Sequence, residues 1–176
     1  MAGYLAEFEP AMRLALQQAA GDTAGPAAET SATPAADVPV GAIVLDSRGA
    51  VVGSGRNRRE ADGDPTAHAE IVALRGAARS LGGWQLAGCT LVVTLEPCTM
   101  CAGAVLAARL SRLVYGAVDA RAGAAGSLWD VLHDRRLGQS VEVVGGVLAA
   151  DCAALLQEFF RQRRRDTPHP DLPPLG

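Results

Sequence analysis

Three side chains in this sequence, the imidazole of His68 and the thiols of Cys98 and Cys101, are of the types that bind zinc. Zinc takes imidazole nitrogen and thiolate sulfur in a tetrahedron, and a site with only three protein ligands leaves one position for water. Structural zinc sites usually have four protein ligands, so this set favours a hydrolytic site. Glu70 lies two residues after His68, which is not the spacing of two ligands on one helix face. We therefore interpret Glu70 as a carboxylate that moves protons beside the metal.

The Cys-x-x-Cys pair has two other common meanings. A structural zinc ribbon needs a second pair, whereas Cys89 and Cys152 are widely separated single cysteines in apolar surroundings, and we interpret them as core residues. A redox pair of the thioredoxin type would leave the His-x-Glu motif without a role. The combination of the two motifs therefore indicates a metal centre rather than either alternative.

His-Ala-Glu followed by Pro-Cys-x-x-Cys resembles the signature of the zinc-dependent cytidine/deoxycytidylate deaminase superfamily. The zinc motif alone specifies only the superfamily. Longer stretches resemble its bacterial tRNA-specific adenosine deaminase family, and the loop at Gly123 to Leu128 and the closing helix are what indicate that branch. The likeness extends from about Val38 to Arg165, and the segments that carry it are residues 64–71, 93–98, 100–104, 123–128 and 151–156.

The resemblance implies a function for the site. The expected reaction is hydrolytic deamination of adenosine to inosine at the wobble position of a tRNA, with an arginine tRNA as the expected substrate, Zn²⁺ as the cofactor and no organic cofactor. Glu70 would carry the protons. The resemblance also implies that Asn57 holds the target nucleotide and that Asp119 contacts the backbone of the bound anticodon stem-loop. A turn-forming role for either residue stays open.

The charge of the chain limits how it could hold RNA. A formal net charge of -3 argues against a protein that coats nucleic acid through a general positive field. A local patch would be needed, and four arginines close to the end of the predicted last helix offer one. Arg161 is our candidate RNA contact in that patch. The same residues could instead compensate the dipole at the helix C-terminus. The patch consists of Arg161, Arg163, Arg164 and Arg165.

Three other functions stay open from the sequence. A guanine or cytosine deaminase shares the zinc motif, although the tRNA-like loop and the closing arginines argue against a small substrate. A nucleoside cytidine deaminase usually carries cysteine where His68 stands. A zinc-stabilised RNA-binding module without activity would not need Glu70.

The elements that must position these residues alternate between strands and helices, which predicts an α/β fold: a three-layer α/β/α, cytidine-deaminase-like domain with one mixed five-stranded sheet. Helices from about residue 66 to 80 and from 98 to 108 would begin at the two metal motifs. The resemblance adds that the last two strands run parallel with a short helix between them, at Leu128 to Leu132. The predicted strands are 40–45, 50–55, 90–95, 112–117 and 141–145.

The expected organisation is a single deaminase domain over residues 1–166, with a flexible low-complexity loop at about 21–37 and a disordered, proline-rich tail at 167–176. No apolar run approaches the roughly twenty residues of a membrane span, and we expect a cytoplasmic protein without a membrane partner. The resemblance further implies a homodimer.

Overall fold

Five strands form one mixed sheet in the computed structural model, which describes residues 2–21 and 37–166. The strands are β1 (Gly41–Leu45), β2 (Val51–Arg56), β3 (Thr90–Leu95), β4 (Arg112–Ala117) and β5 (Glu142–Gly145). Their order across the sheet is β2-β1-β3-β4-β5. β1 pairs antiparallel with β2 and β3, whereas β3 and β4, and β4 and β5, pair parallel.

Helices cover both faces of the sheet. They are α1 (Ala2–Ala6), α2 (Glu9–Ala20), α3 (Arg59–Asp62), α4 (Ala69–Leu81), α5 (Thr99–Ala107) and α6 (Ala149–Asp166). One apolar cluster joins side chains of α2 and α6 to one face of the sheet, and a second joins α4 and α5 to the other face. The predicted three-layer α/β/α architecture with a mixed five-stranded sheet is therefore confirmed.

The central strand, β3, leads directly into the cysteine motif. Its sequence, TLVVTL, is rich in β-branched residues, and all but the last residue are buried because the strand is paired on both sides and covered on both faces. Leu95 ends the strand, and the chain turns through Glu96 and Pro97 into α5. The rigid middle of the sheet thus fixes where Cys98 lies.

The helix that follows His68 lies directly on β2, because glycines there let the two backbones approach. A Cβ atom added at Gly55 would lie 2.6 Å from the carbonyl oxygen of Ala69, and one at Gly53 would lie 2.4 Å from that of Ala73. Real Cβ atoms do not approach backbone so closely. This contact sets the height of α4, and hence of His68, above the sheet.

The structure corrects one expectation. The expected helix at Leu128 to Leu132 is absent, and the connection between β4 and β5 is instead a loop with a short 3-10 helix at Arg135–Leu137. Residues 125–130 are not helical, because Gly126 has a positive φ of 128° and Ala125 forms an isolated antiparallel bridge with Asp130. The sequence analysis also missed α1 and α3.

Two predicted features fall outside the described residues: the tail at 167–176 wholly, and the loop at 21–37 except for its two end residues. The single-domain assignment therefore stays a prediction for the whole chain. Of the helices in the described ranges, none combines the length and the apolar character needed to cross a bilayer.

We expect Gly55→Ala to destabilise the protein, because the added methyl group must push α4 off β2. Overpacking of this kind costs about 1–3 kcal/mol, which lowers the thermal midpoint by several degrees. Gly76→Ala is the matched control: its Cβ would lie 3.6 Å from the nearest atom, an ordinary contact, and alanine is the better helix former. Thermal unfolding of both variants checks this, and equal midpoints for the two would contradict the close contact at Gly55.

Candidate active site

Both halves of the metal motif lie at helix N-termini. His68 precedes α4 and Cys98 precedes α5, each with an extended backbone (ψ of 154° and 174°) that turns the chain into the helix. The carbonyl of His68 accepts from the N–H of Val72, and that of Cys98 accepts from Ala102, which starts each helix. Cys101 lies in the first turn of α5. Positive helix ends therefore face the site, where they stabilise thiolates.

Three donor atoms converge between these two helices. His68 Nδ1 lies 3.7 Å from Cys98 Sγ and 3.5 Å from Cys101 Sγ, and all three atoms lie within 4.8 Å of one another. With Zn–S near 2.3 Å and Zn–N near 2.05 Å, a tetrahedral angle would place nitrogen and sulfur about 3.6 Å apart. The spacing and the donor types therefore fit Zn²⁺.

The electrostatics of the three donors fit a cation as well. Hydrogen bonds from Cys101 and His68 lower the pKa of Cys98 to about 3, against the opposing effect of burial. The pKa of Cys101 is raised because its thiol donates to Cys98 and is buried. The Cys98 interaction also raises the pKa of His68. A metal ion can take the place of the protons that these atoms share, because cysteine binds metal ions as the thiolate.

Glu70 is beside the metal donors but is not one of them. Its side chain is only 4% exposed, and the cluster of possible metal ligands comprises the imidazole and the two thiols without it. Burial raises the pKa of Glu70 above the usual range of a carboxylic acid. A carboxylate whose pKa lies closer to neutrality can both accept and return a proton, which is what general acid–base catalysis requires.

A cavity of about 170 Å³ opens onto this centre and is lined by His68, Glu70 and Asn57 among others. The Asn57 amide nitrogen donates to the carbonyl of Val38 at 3.2 Å, which fixes the orientation of the amide. Its Oδ1 is buried and has no hydrogen-bond partner within the described ranges. A buried acceptor without a partner costs free energy, so Oδ1 marks a place where a ligand donor fits.

Asp119 also lines this cavity. Its Oδ1 accepts from the N–H groups of Arg121 and Ala122 at 2.9 and 3.2 Å, so it also shapes a turn. The turn-forming role left open by the sequence is thus present. Because Asp119 also lines the cavity, its turn-forming role is compatible with the RNA contact that the resemblance implies.

Arg161 is not in the same place. It pairs with Glu158 on the exposed face of α6 and lines neither this cavity nor the adjoining one, of about 350 Å³. Phe159 does line the adjoining cavity, which shares Asn57 with the first, and the guanidinium of Arg163 lies 6.0 Å from its ring centroid. The structure therefore places Asn57 and Asp119 in the same cavity as His68 and Cys98, whereas Arg161 lies on α6 outside both cavities.

Sequence reasoning missed three contributors to the site. Arg59 lines the catalytic cavity, and Asp37 accepts from the N–H groups of Glu60 and Ala61 at 2.8 and 3.1 Å, which ties the start of the Val38 segment to α3. Glu96 also lines the cavity. A carboxylate at the end of an apolar strand was a usable signal for Glu96, whereas no local pattern marked Asp37 or Arg59.

The fold and the donor set define a class. The family model for the cytidine and deoxycytidylate deaminase zinc-binding region matches residues 14–117, which is more than half of the chain. The chain belongs to this family, and its relatives place it among the tRNA-specific adenosine deaminases. One of these, from Haemophilus influenzae, is 46% identical over 130 residues, covering 74% of this chain and 75% of the relative.

Solved structures share the fold. A structure described under A-to-I editing by tRNA:A34 deaminases at the wobble position of transfer RNA matches with a TM-score of 0.70 and 37% identity, covering 82% of this chain and 97% of the other. A guanine deaminase from Nitrosomonas europaea matches with a TM-score of 0.63 and 25% identity, covering 88% and 81%. The chain is also 51% identical to part of a tRNA(Ile)-lysidine synthase from Deinococcus deserti, of whose length it spans only 29%.

Proposed function

We propose that this protein is a zinc-dependent hydrolase that converts adenosine to inosine at the wobble position of a tRNA. One observation carries the proposal: a single cavity is lined by two of the three metal donors, His68 and Cys98, together with the buried carboxylate of Glu70 and with Asn57, whose side-chain oxygen is unpaired. Residues that activate the nucleophile, transfer protons and recognise the base can therefore all act on one base in the cavity. The tRNA-specific adenosine deaminases to which the chain is similar support the substrate.

The chemistry divides between the metal and the chain's own residues. His68, Cys98 and Cys101 would hold Zn²⁺, which when bound makes water a nucleophile at neutral pH. Glu70 would accept a proton from the attacking water and pass it to a ring nitrogen of the base. It would then take the proton of the added hydroxyl group and give it to the departing amine. Water adds at the amine-bearing carbon and ammonia leaves, so adenosine and water give inosine and ammonia. Asn57 Oδ1 accepts a hydrogen bond from the base and fixes its orientation.

The size of the cavity supports a substrate that enters by one group. Sites that enclose a whole ligand usually measure about 300–1,000 Å³, whereas this cavity measures about 170 Å³ and opens beside a second one of about 350 Å³. A base from a single-stranded loop, with its neighbours outside, suits this shape, because loop bases are already largely unstacked. An arginine tRNA is the substrate that the family resemblance implies.

Two finer points belong to the proposal. We expect a homodimer, which sedimentation would detect, and a cytoplasmic location, where the reducing environment keeps the ligand thiols available to the metal. Neither affects the chemistry above.

The function is tested with an anticodon stem-loop that carries adenosine at the wobble position. We expect the zinc-loaded protein to form inosine, and Glu70→Gln to keep its zinc and its affinity for the stem-loop while turnover falls at least about 10²-fold, because the amide cannot carry the protons. Glutamine matches glutamate in size, which controls for packing. Mass spectrometry of nucleosides and elemental analysis give the two readouts.

Free guanine is the competing substrate. Ammonia release from guanine without inosine formation in the stem-loop would mean that the small-molecule alternative is correct. Stem-loop binding without any turnover by the zinc-loaded wild type would instead support the non-catalytic module.

The arginine patch on α6 is tested by the salt dependence of stem-loop binding. Alanine at all four arginines should weaken binding and flatten its dependence on salt, because each phosphate contact contributes a slope of roughly 0.7 to 0.9 in log K against log salt. Asn57→Ala, at the base, should slow turnover and leave the slope unchanged. If the fourfold variant keeps the parental affinity and slope, the patch only stabilises the helix end and the phosphates are held elsewhere.

A further inference from the structure

Glu96 is a buried carboxylate that the chemistry above does not use. It is 2% exposed and lies between the end of β3 and the ligand Cys98, and its backbone N–H donates to the carbonyl of Ala117 at 2.8 Å. Burying an ionisable group is costly unless every oxygen is hydrogen-bonded. The partners of Glu96 therefore indicate what it is for.

Those partners all belong to the loop that forms one wall of the catalytic cavity. Glu96 Oε2 accepts from the N–H of Asp119 at 3.1 Å. Oε1 accepts from the N–H groups of Ala125 and Ser127, each at 3.1 Å. The carboxylate thus holds both ends of the segment from residue 119 to 127, the segment that carries Asp119 and Ala122 into the cavity wall.

The middle of this loop is fitted closely around the carboxylate. A Cβ added at Gly123 would lie 2.5 Å from the carboxyl carbon of Glu96 and 2.4 Å from Ser127 Oγ. The backbone adds a further tie, since the N–H of Ala124 donates to the carbonyl of Pro97 at 2.8 Å. The loop is therefore placed against the same short segment that supplies the ligand Cys98.

We propose that Glu96 is a positioning residue for the substrate: it holds Asp119 at a fixed distance from the metal centre by accepting its N–H and those at the other end of the loop. The inference deepens the proposed function and rests on it. Glu96 does not touch the substrate. Both of its oxygens accept from the loop, so it would act through Asp119, which the family resemblance implies contacts the backbone of the bound stem-loop.

A carboxylate is needed because two separate oxygens must both accept. In Glu96→Gln the amide carbonyl can still accept from Ala125 and Ser127, but an NH₂ group then faces the N–H of Asp119, and two donors repel. The substitution keeps the size of the side chain and removes the anchor of Asp119 in particular.

We expect Glu96→Gln to lower kcat/KM for the adenosine stem-loop by roughly 10- to 100-fold, chiefly through KM, with zinc content unchanged. A residue that acts through Asp119 must be coupled to it. The loss of kcat/KM in the double variant that carries Glu96→Gln and Asp119→Ala should therefore be little larger than the loss in either single variant. If the two residues acted independently, the two losses in free energy would add.

Asp46→Asn is the matched control, because Asp46 also accepts two loop N–H groups, from Arg48 and Ala50 at 2.9 Å each, in the turn between β1 and β2. It should leave KM unchanged. If Glu96→Gln does not fold, Gly123→Ala replaces it, since the added methyl group pushes the loop away from the carboxylate; it should show the same coupling to Asp119→Ala.

Unchanged KM, additive losses or loss of zinc in Glu96→Gln would each overturn the positioning role while leaving the deaminase function intact. A wild-type protein that forms no inosine in the stem-loop would overturn the proposed function itself.

Discussion

The site depends on one constraint: the N-termini of α4 and α5 must lie so close together that their donor atoms can bind one tetrahedral metal ion. Helix α4 is set by its glycine contacts on β2, and α5 by the rigid end of β3. Because these supports are strands of one sheet with only β1 between them, His68 Nδ1 comes within 3.7 Å of both thiols without a long loop. A metal bound there would add its binding free energy to the stability of a site that is already formed.

The buried carboxylic acids lie at the end of the sheet where the metal donors lie. Within the described residues, Glu70 and Glu96 are the buried acids, and the unpaired Oδ1 of Asn57 lies in the same cavity wall. Elsewhere the sheet is enclosed by apolar side chains, which is the cheaper way to fill an interior. All three residues line the cavity, but the oxygens of Glu96 accept from loop N–H groups, whereas Oδ1 of Asn57 has no partner within the described residues. The fold alone does not require buried polar residues at this place, so their presence indicates a functional site.

Much of this could be predicted from the sequence. The strands follow from runs such as TLVVTL, and the donor set follows from residue types whose chemistry is specific. The family was recognisable from the same motifs. The wrong helix at Leu128 to Leu132 shows the limit: the backbone just before it is held by the carboxylate of Glu96, about thirty residues earlier, through the N–H groups of Ala125 and Ser127. Local pattern cannot reveal a partner so distant in sequence.

The RNA contact expected of Arg161 stays a prediction. The distance of Arg161 from the cavity depends on how α6 packs, which no short pattern encodes. The place of Asn57 is easier to predict, because it directly follows β2 at the edge of the cavity. Sequence reasoning is therefore strongest where a residue lies directly beside the element that positions it.

The most direct test of the account is X-ray absorption spectroscopy of the zinc-loaded protein, beside a crystal structure of the same form. We expect one nitrogen near 2.0–2.1 Å and two sulfurs near 2.3 Å from zinc, assigned to His68, Cys98 and Cys101, with a water-derived oxygen as the fourth ligand. The Glu70 carboxylate should lie close by without coordinating. A zinc ion bound by Glu70, or a disulfide between the two cysteines in place of the metal, would contradict the account.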